Sequence, residues 1–466
     1  MAGTDVLKRF EAPGRMPSRD AWAPRFRRAL WWMHQSLWLL PVLGAVAGAL
    51  LALVLVHPQT TSLGWLRGVA WRATPSEARQ VLSTVLGIAL TTLSIILSLT
   101  MLVVQNTGGS YSPRLMRLLL ASAGMRVVLP VYVATCSFCM VAVHDFGFLR
   151  NEASQPRPAL SMAMLLLILC VVALLFQVLQ TLQFMRVENL VRLVARNTLD
   201  IASRLDERRE HDLPVGASVP RLPEQTWPLR APADGFVVDV DAAALLTMAS
   251  EHDLVIHVDT VTGAPVLRGS ILGRVGAEPP GPPDLPHVLE NVTAGILTDK
   301  WRSPDGDVAL GFRQLVDMAI KALSPGINDP YTAVEALDQL TVLLCGLCRM
   351  RLGPRVLADP RGRARVLIRT PTLSDCLDLA TDQIARYGAG EPAVVLHLMR
   401  LTGEVARHVR TEDERNAARG VLRSVLATAE RTMQDPARLE QLRQYARATE
   451  YAMDGGPFPP LPVIGF

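Results

Sequence analysis

Two groups of polar residues in this chain have types and spacing that could do chemistry. The first lies in an uncharged run from Val81 to Val104, where Thr84, Thr91, Ser94 and Ser98 fall near one face of a helix and could line a wet path. The same hydroxyls could instead bond to carbonyls of their own helix, or serve as small packing residues between helices. The second is Ser324-Pro325-Gly326-Ile327-Asn328-Asp329-Pro330, preceded by Asp317 and Lys321 and followed by Glu335. As a polar cluster, Asp317, Lys321, Asn328, Asp329 and Glu335 could receive an ion, a phosphate group or a partner loop. As a helix junction they need no ligand: Pro325 and Gly326 stop one helix, Asp329 caps the next, and Pro330 stands where a missing amide donor does no harm. Asp317 and Lys321, four residues apart, can pair on one helical face, and Glu335 can support the first turns of the second helix.

Beyond these, the chain carries little that names a reaction. Cys345 and Cys348 have CxxC spacing, but inside an apolar helical pattern without a second pair or a nearby histidine, so neither zinc nor redox chemistry is expected. No hydrolytic triad, HExxH or GxxxxGK[ST] stands out, and no cofactor or metal is expected. The formal net charge of +4 gives no reason to invoke nucleic acid, because the arginines gather beside apolar segments, where membrane topology accounts for them.

The elements that must position these residues follow from hydropathy. Four apolar runs, at 34–56, 81–104, 127–143 and 159–182, are long enough to cross a bilayer at about 1.5 Å per residue. A basic arm over 1–33, with a possible surface helix around 21–33, precedes them. Arginines in that arm, in the loop 105–126 and beyond 186 predict that these segments share the cytoplasmic side of a bacterial inner membrane, with both termini inside. Gly108, Gly109 and Pro113 are expected to break the second helix. The fourth span is expected to continue without a breaker into a stalk, which with a Pro-rich connector fills 185–232. There follow a small β-rich unit at 233–276, a Pro-rich linker at 277–286, a mainly helical unit at 287–452 with one strand near 363–370, and a tail at 453–466. The fold class is thus a four-span α-helical membrane bundle with a cytoplasmic α+β region.

The string GFRQLVDMAIKALSPGINDPYTAVEALDQL at 311–340 resembles the hallmark of a bacterial family of predicted membrane proteins, the domain-of-unknown-function family 2254. QNTGGSYSPRLMRLL at 105–119, with Ser112, Pro113 and Arg114, resembles that family's second recognisable segment. Where the fourth span of the family tends to carry paired histidines, this chain has Phe176-Gln177-Val178-Leu179-Gln180. The resemblance implies an inner-membrane protein with a cytoplasmic domain, and neither an activity nor a cofactor. Taken together, the features point first to a homo-oligomeric channel or transport-related role in the lipid bilayer. The alternative is a membrane-tethered sensory, scaffold or envelope-maintenance protein whose cytoplasmic domain binds a protein or small-ligand partner.

Overall fold

The computed structural model describes residues 39–56, 71–110, 123–148, 155–184, 186–209, 212–214, 216–279, 281–282 and 284–461, and the chain divides near residue 186 into two compact units. The arm 1–33, the beginning of the first apolar run, and Ser112, Pro113 and Arg114 lie outside the described residues.

The first unit contains α1 (Leu39–Val56), β1 (Trp71–Ala73), α2 (Pro75–Ser110), α3 (Ala123–Gly147), β2 (Gln155–Arg157) and α4 (Pro158–Phe184). All four helices are long and apolar enough to cross a membrane, with mean hydropathies of 2.7, 2.2, 1.9 and 3.0 in order. Contrary to expectation, Gly108 and Gly109 do not break α2, which runs on to Ser110. A glycine costs a helix interior only about 1 kcal/mol, which the surrounding turns absorb. α1 meets α3 backbone to backbone. A Cβ on Gly44 would stand 2.7 Å from the Pro130 carbonyl oxygen, and one on Gly48 would stand 2.2 Å from that of Ala134. Between them, Ser137 Oγ donates to the Ala45 carbonyl at 2.8 Å. β1 and β2 pair antiparallel, bringing the α1–α2 and α3–α4 connections to one end of the unit. Arg157 is buried there, its Nε on the Ala73 carbonyl at 3.3 Å and its guanidinium 5.2 Å from the Phe146 ring centre.

The second unit opens with α5 (Val187–Glu207). In place of the expected unbroken passage, α4 ends at Phe184 and Arg186 belongs to neither helix. The hydrophobic pattern changes there: α4 is apolar all round, whereas α5 buries one face through Leu190, Val191, Val194, Thr198 and Ala202. Packing of that face sets the direction of α5.

Next come β3 (Thr226–Arg230), β4 (Gly235–Val240), α6 (Ala242–Glu251), β5 (Leu254–Val258), β6 (Pro265–Val266), β7 (Ile271–Ala277), α7 (Leu285–Ala294) and β8 (Ile296–Asp299). Then follow α8 (Val308–Ala322), α9 (Pro330–Leu347), β9 (Arg355–Ala358), β10 (Ala364–Ile368), α10 (Leu373–Gly388), α11 (Pro392–His408), α12 (Glu412–Thr432) and α13 (Pro436–Met453). A five-stranded sheet has the order β3-β7-β5-β10-β9, and a three-stranded one the order β6-β4-β8. The larger sheet overruns both ends of the expected β-rich segment 233–276. β3 comes from the Pro-rich connector, where Pro228 is tolerated because β3 is an edge strand. β10 comes from the helical region and lies parallel to β5, Val366 opposite Ile256. Leu245, Ile256, Leu272, Val275 and Val366 share one buried core. The stretch expected as tail is held in part, because Phe458 packs over Gly403 of α11, with the Arg407 guanidinium 5.5 Å from its ring.

Candidate functional site

The α8–α9 hairpin is framed by two aspartate caps. Asp307 Oδ1 accepts the Leu310 amide at 3.0 Å and starts α8, while its Oδ2 meets Arg302 at 2.5 Å. Burial pushes the Asp307 carboxyl up against the opposing pull of Arg302. At the other end, Asp329 uses both carboxylate oxygens on one residue: Oδ1 accepts the Thr332 amide at 3.1 Å and Oδ2 the Thr332 hydroxyl at 2.6 Å. Pro330 occupies the first turn of α9.

The intervening turn closes on its own backbone. The Asn328 amide donates to the Ser324 carbonyl at 2.9 Å and the Asp329 amide to that of Ala322 at 2.9 Å. Ser324 Oγ donates to the Lys321 carbonyl at 2.6 Å. Asn328 adopts φ +49, the left-handed region an asparagine tolerates better than most residues. Pro325, Gly326, Ile327 and Asn328 form an exposed tip. Asp317 and Lys321 stand one turn apart on α8, half-buried, and Glu335 meets Arg192 of α5 at 3.4 Å. The segment therefore joins two helices through its own hydrogen bonds, and Glu335 turns to α5.

Two glycines set the position of α5 on this hairpin. A Cβ on Gly311 of α8 would fall 1.9 Å from Thr198 Oγ1, and one on Gly346 of α9 would fall 2.5 Å from Leu199 Cδ2. Gly311 opens the recognisable string, and a glycine inside an amphipathic helix is the signal that could have revealed this close approach.

The far end of α5 is locked by charges that sequence reasoning missed. Asp212, with 3% of its side chain exposed, lies between Arg209 at 3.3 Å and Arg355 at 2.7 Å. Arg209 also donates to the carbonyls of Arg351 and Gly353, and Arg351 Nε reaches Asp206 at 3.2 Å. Burial pulls the Arg209 guanidinium down, and Asp212 opposes that shift. Nothing local in the sequence pairs residues more than 140 positions apart.

Among the described residues no cluster of three or more His, Cys, Asp or Glu side chains could hold a metal ion. All six cysteines are thiols, and burial pushes Cys345 up to about 11 and Cys348 up to about 12, so both are protonated at neutral pH and unsuited to nucleophilic attack. His257 Nε2 lies 2.8 Å from the Pro220 carbonyl, which ties β5 to the connector before β3.

In the first unit, Ala78, Leu82, Val85, Ala89 and Ile96 of α2 are buried against residues of α3 and α4. At 3.6 residues per turn, Thr84, Thr91, Ser94 and Ser98 lie roughly 160° away around the helix. All four are exposed. Each donates its proton to the carbonyl four residues back: Thr84 to Gln80 at 2.9 Å, Thr91 to Gly87 at 2.8 Å, Ser94 to Leu90 at 3.0 Å and Ser98 to Ser94 at 2.9 Å. Among the described residues the stripe is exposed on the side of α2 away from its packed face. Gly87 continues it, with open space where a Cβ would stand.

Among the described residues, four helices long and apolar enough to cross a membrane are followed by a mixed helical and sheet region, an arrangement that fits a membrane protein. A family described as "Predicted membrane protein (DUF2254)" matches residues 34–404, and the chain belongs to that family. It is 29% identical over 451 residues to proteins of Mycobacterium bovis and Mycobacterium tuberculosis, each described as uncharacterized, with 94% of this chain and 85% of theirs covered. No solved structure matches it.

Proposed function

We propose that this protein is a subunit of a membrane homo-oligomer with a channel-like, transport-related role, its copies arranged so that the hydroxyl stripe of α2 faces a shared axis. The observation that carries this reading is the placement of Thr84, Thr91, Ser94 and Ser98 opposite the packed face of their helix. Outward positions elsewhere in the unit carry large apolar side chains, such as Leu165, Ile168, Val172, Leu175 and Leu179 of α4, which suit lipid. The α2 stripe carries oxygens and a bare glycine instead. Each hydroxyl has given its proton to its own helix, so lone pairs are what it offers outward, and hydrocarbon cannot use them whereas water and cations can.

The near absence of charged side chains in the spans supports a neutral, hydroxyl-lined conduit over a transporter built on intramembrane carboxylates. In this reading the protein sits in a bacterial inner membrane with both termini and the second unit in the cytoplasm, on the strength of the basic segments flanking the spans. A C-terminal reporter active only in the cytoplasm tests that side. Purified protein in planar bilayers is expected to give discrete conductances that Thr91→Leu and Ser94→Leu reduce. Silent bilayers containing a verified folded oligomer, or a strictly monomeric protein in lipid, would overturn the reading.

A further inference from the structure

One end of the second unit gathers side chains ill suited to open water. Thr198 of α5 fits against Gly311 near the start of α8, and Arg192 reaches Glu335 in the first turns of α9, while Leu199 lies on Gly346 near its end. α5 therefore runs with α9 and against α8. From Thr198 back to Val187, and from Gly311 on to Ala322, the helices advance by the same length, about 16 Å at 1.5 Å per residue. The α8–α9 tip is thus level with the beginning of α5. The α10–α11 turn lies beside it, because a Cβ on Gly388 would stand 3.2 Å from Leu323 Cδ1. These two tips expose Ile327, Tyr331 and Tyr387, at 42%, 56% and 64%.

Chain connectivity says what lies nearby. Only residues 185 and 186 separate Val187 from Phe184, the last residue of α4, a gap of at most about 11 Å even when extended. The Tyr331–Tyr387 end of the unit is therefore the one tethered to the end of a long apolar helix. Tyrosine, with an apolar ring and a polar tip, and an exposed isoleucine suit the level of lipid headgroups.

We propose that this end of the second unit rests on the bilayer surface, with Ile327, Tyr331 and Tyr387 seated among the lipids. Among the described residues of this unit, that end is not basic: Lys321 and Arg386 stand with Glu188, Asp329, Asp382 and Glu391, and Arg386 already pairs with Asp382 at 2.8 Å. The attachment is apolar and aromatic, so it does not depend on salt or on anionic lipid. It rests on the reading that α4 crosses the membrane.

The test uses the full chain in lipid nanodiscs with an environment-sensitive fluorophore on Ile327→Cys, Tyr331→Cys or Tyr387→Cys, after subtracting signal from the parent protein treated identically. Leu267→Cys, exposed in the β6–β7 turn, serves as the water control, and Leu175→Cys in α4 as the span control. The three tip positions are expected to emit to the blue of the Leu267 position and to be quenched by brominated phospholipid equally in low and high salt. Emission and iodide quenching matching the Leu267 position would overturn the proposal, as would blue emission that bromolipid does not quench, which means a protein surface covers the tips. If lipid quenches the Leu175 position and none of the tips, docking alone fails. If the Leu175 position is not quenched, the membrane reading of α4 fails first.

Discussion

The apolar unit and the mixed unit are held together by different physics. Between the described helices of the first, contact is made through close backbone approach at Gly44 and Gly48 and a few hydrogen bonds, such as Tyr132 to the Cys170 carbonyl at 2.8 Å. In a bilayer, lipid tails are as apolar as leucine, so apolar area alone gives helices no reason to associate and packing geometry decides. The second unit uses caps, a buried apolar core and arginine–aspartate networks, in which the cost of burying a charge is offset by a partner. Glycine does related work in both: Gly48 brings α1 to α3, and Gly311 brings α5 to α8.

The contrast can be broken most sharply at Asp212. Asp212→Ala removes the buried carboxylate that Arg209 and Arg355 share, and the expected loss is about 3–5 kcal/mol in unfolding of the second unit. Chemical denaturation of the purified full chain reads it, and an unchanged midpoint would show that the network adds nothing. Gly48→Leu drives a side chain into the Ala134 backbone, with an expected loss of about 1–3 kcal/mol or separation of α1 from α3. Thermal unfolding in detergent follows it, and Gly87→Leu, made where space is open, should be near neutral in the monomer; equal effects at both glycines would contradict the packing described. The smallest effect is expected at Asp329→Ala, about 1 kcal/mol for a lost helix cap. Asp329→Asn should recover most of it, since an amide oxygen still accepts the Thr332 amide, and failure of that rescue would point to a role for the carboxylate beyond capping.

Much of this architecture was legible locally. The apolar run at 81–104 lies inside α2, and GFVVDVD and LVIHVDT contain β4 and β5. The Asn328-Asp329-Pro330 junction could be read as cap chemistry because each bond it makes spans only a few residues. What escaped was non-local. β10 pairs with β5 about a hundred residues away, and α5 finds the surfaces for its apolar stripe in α8 and α9, more than a hundred residues further along the chain. Gly44 and Gly48 did carry a readable signal, small residues four apart in an apolar helix, although only the structure names α3 as the surface they meet.

Composition and periodicity by themselves determined the four apolar helices among the described residues and the mixed region after them, because helix length, hydropathy and capping are properties of neighbouring residues. Tertiary structure alone decided which way the hydroxyls of α2 point, which arginines enclose Asp212, and that Ile327, Tyr331 and Tyr387 share one end. Those facts depend on which surfaces meet, and the meeting surfaces come from segments far apart in the chain.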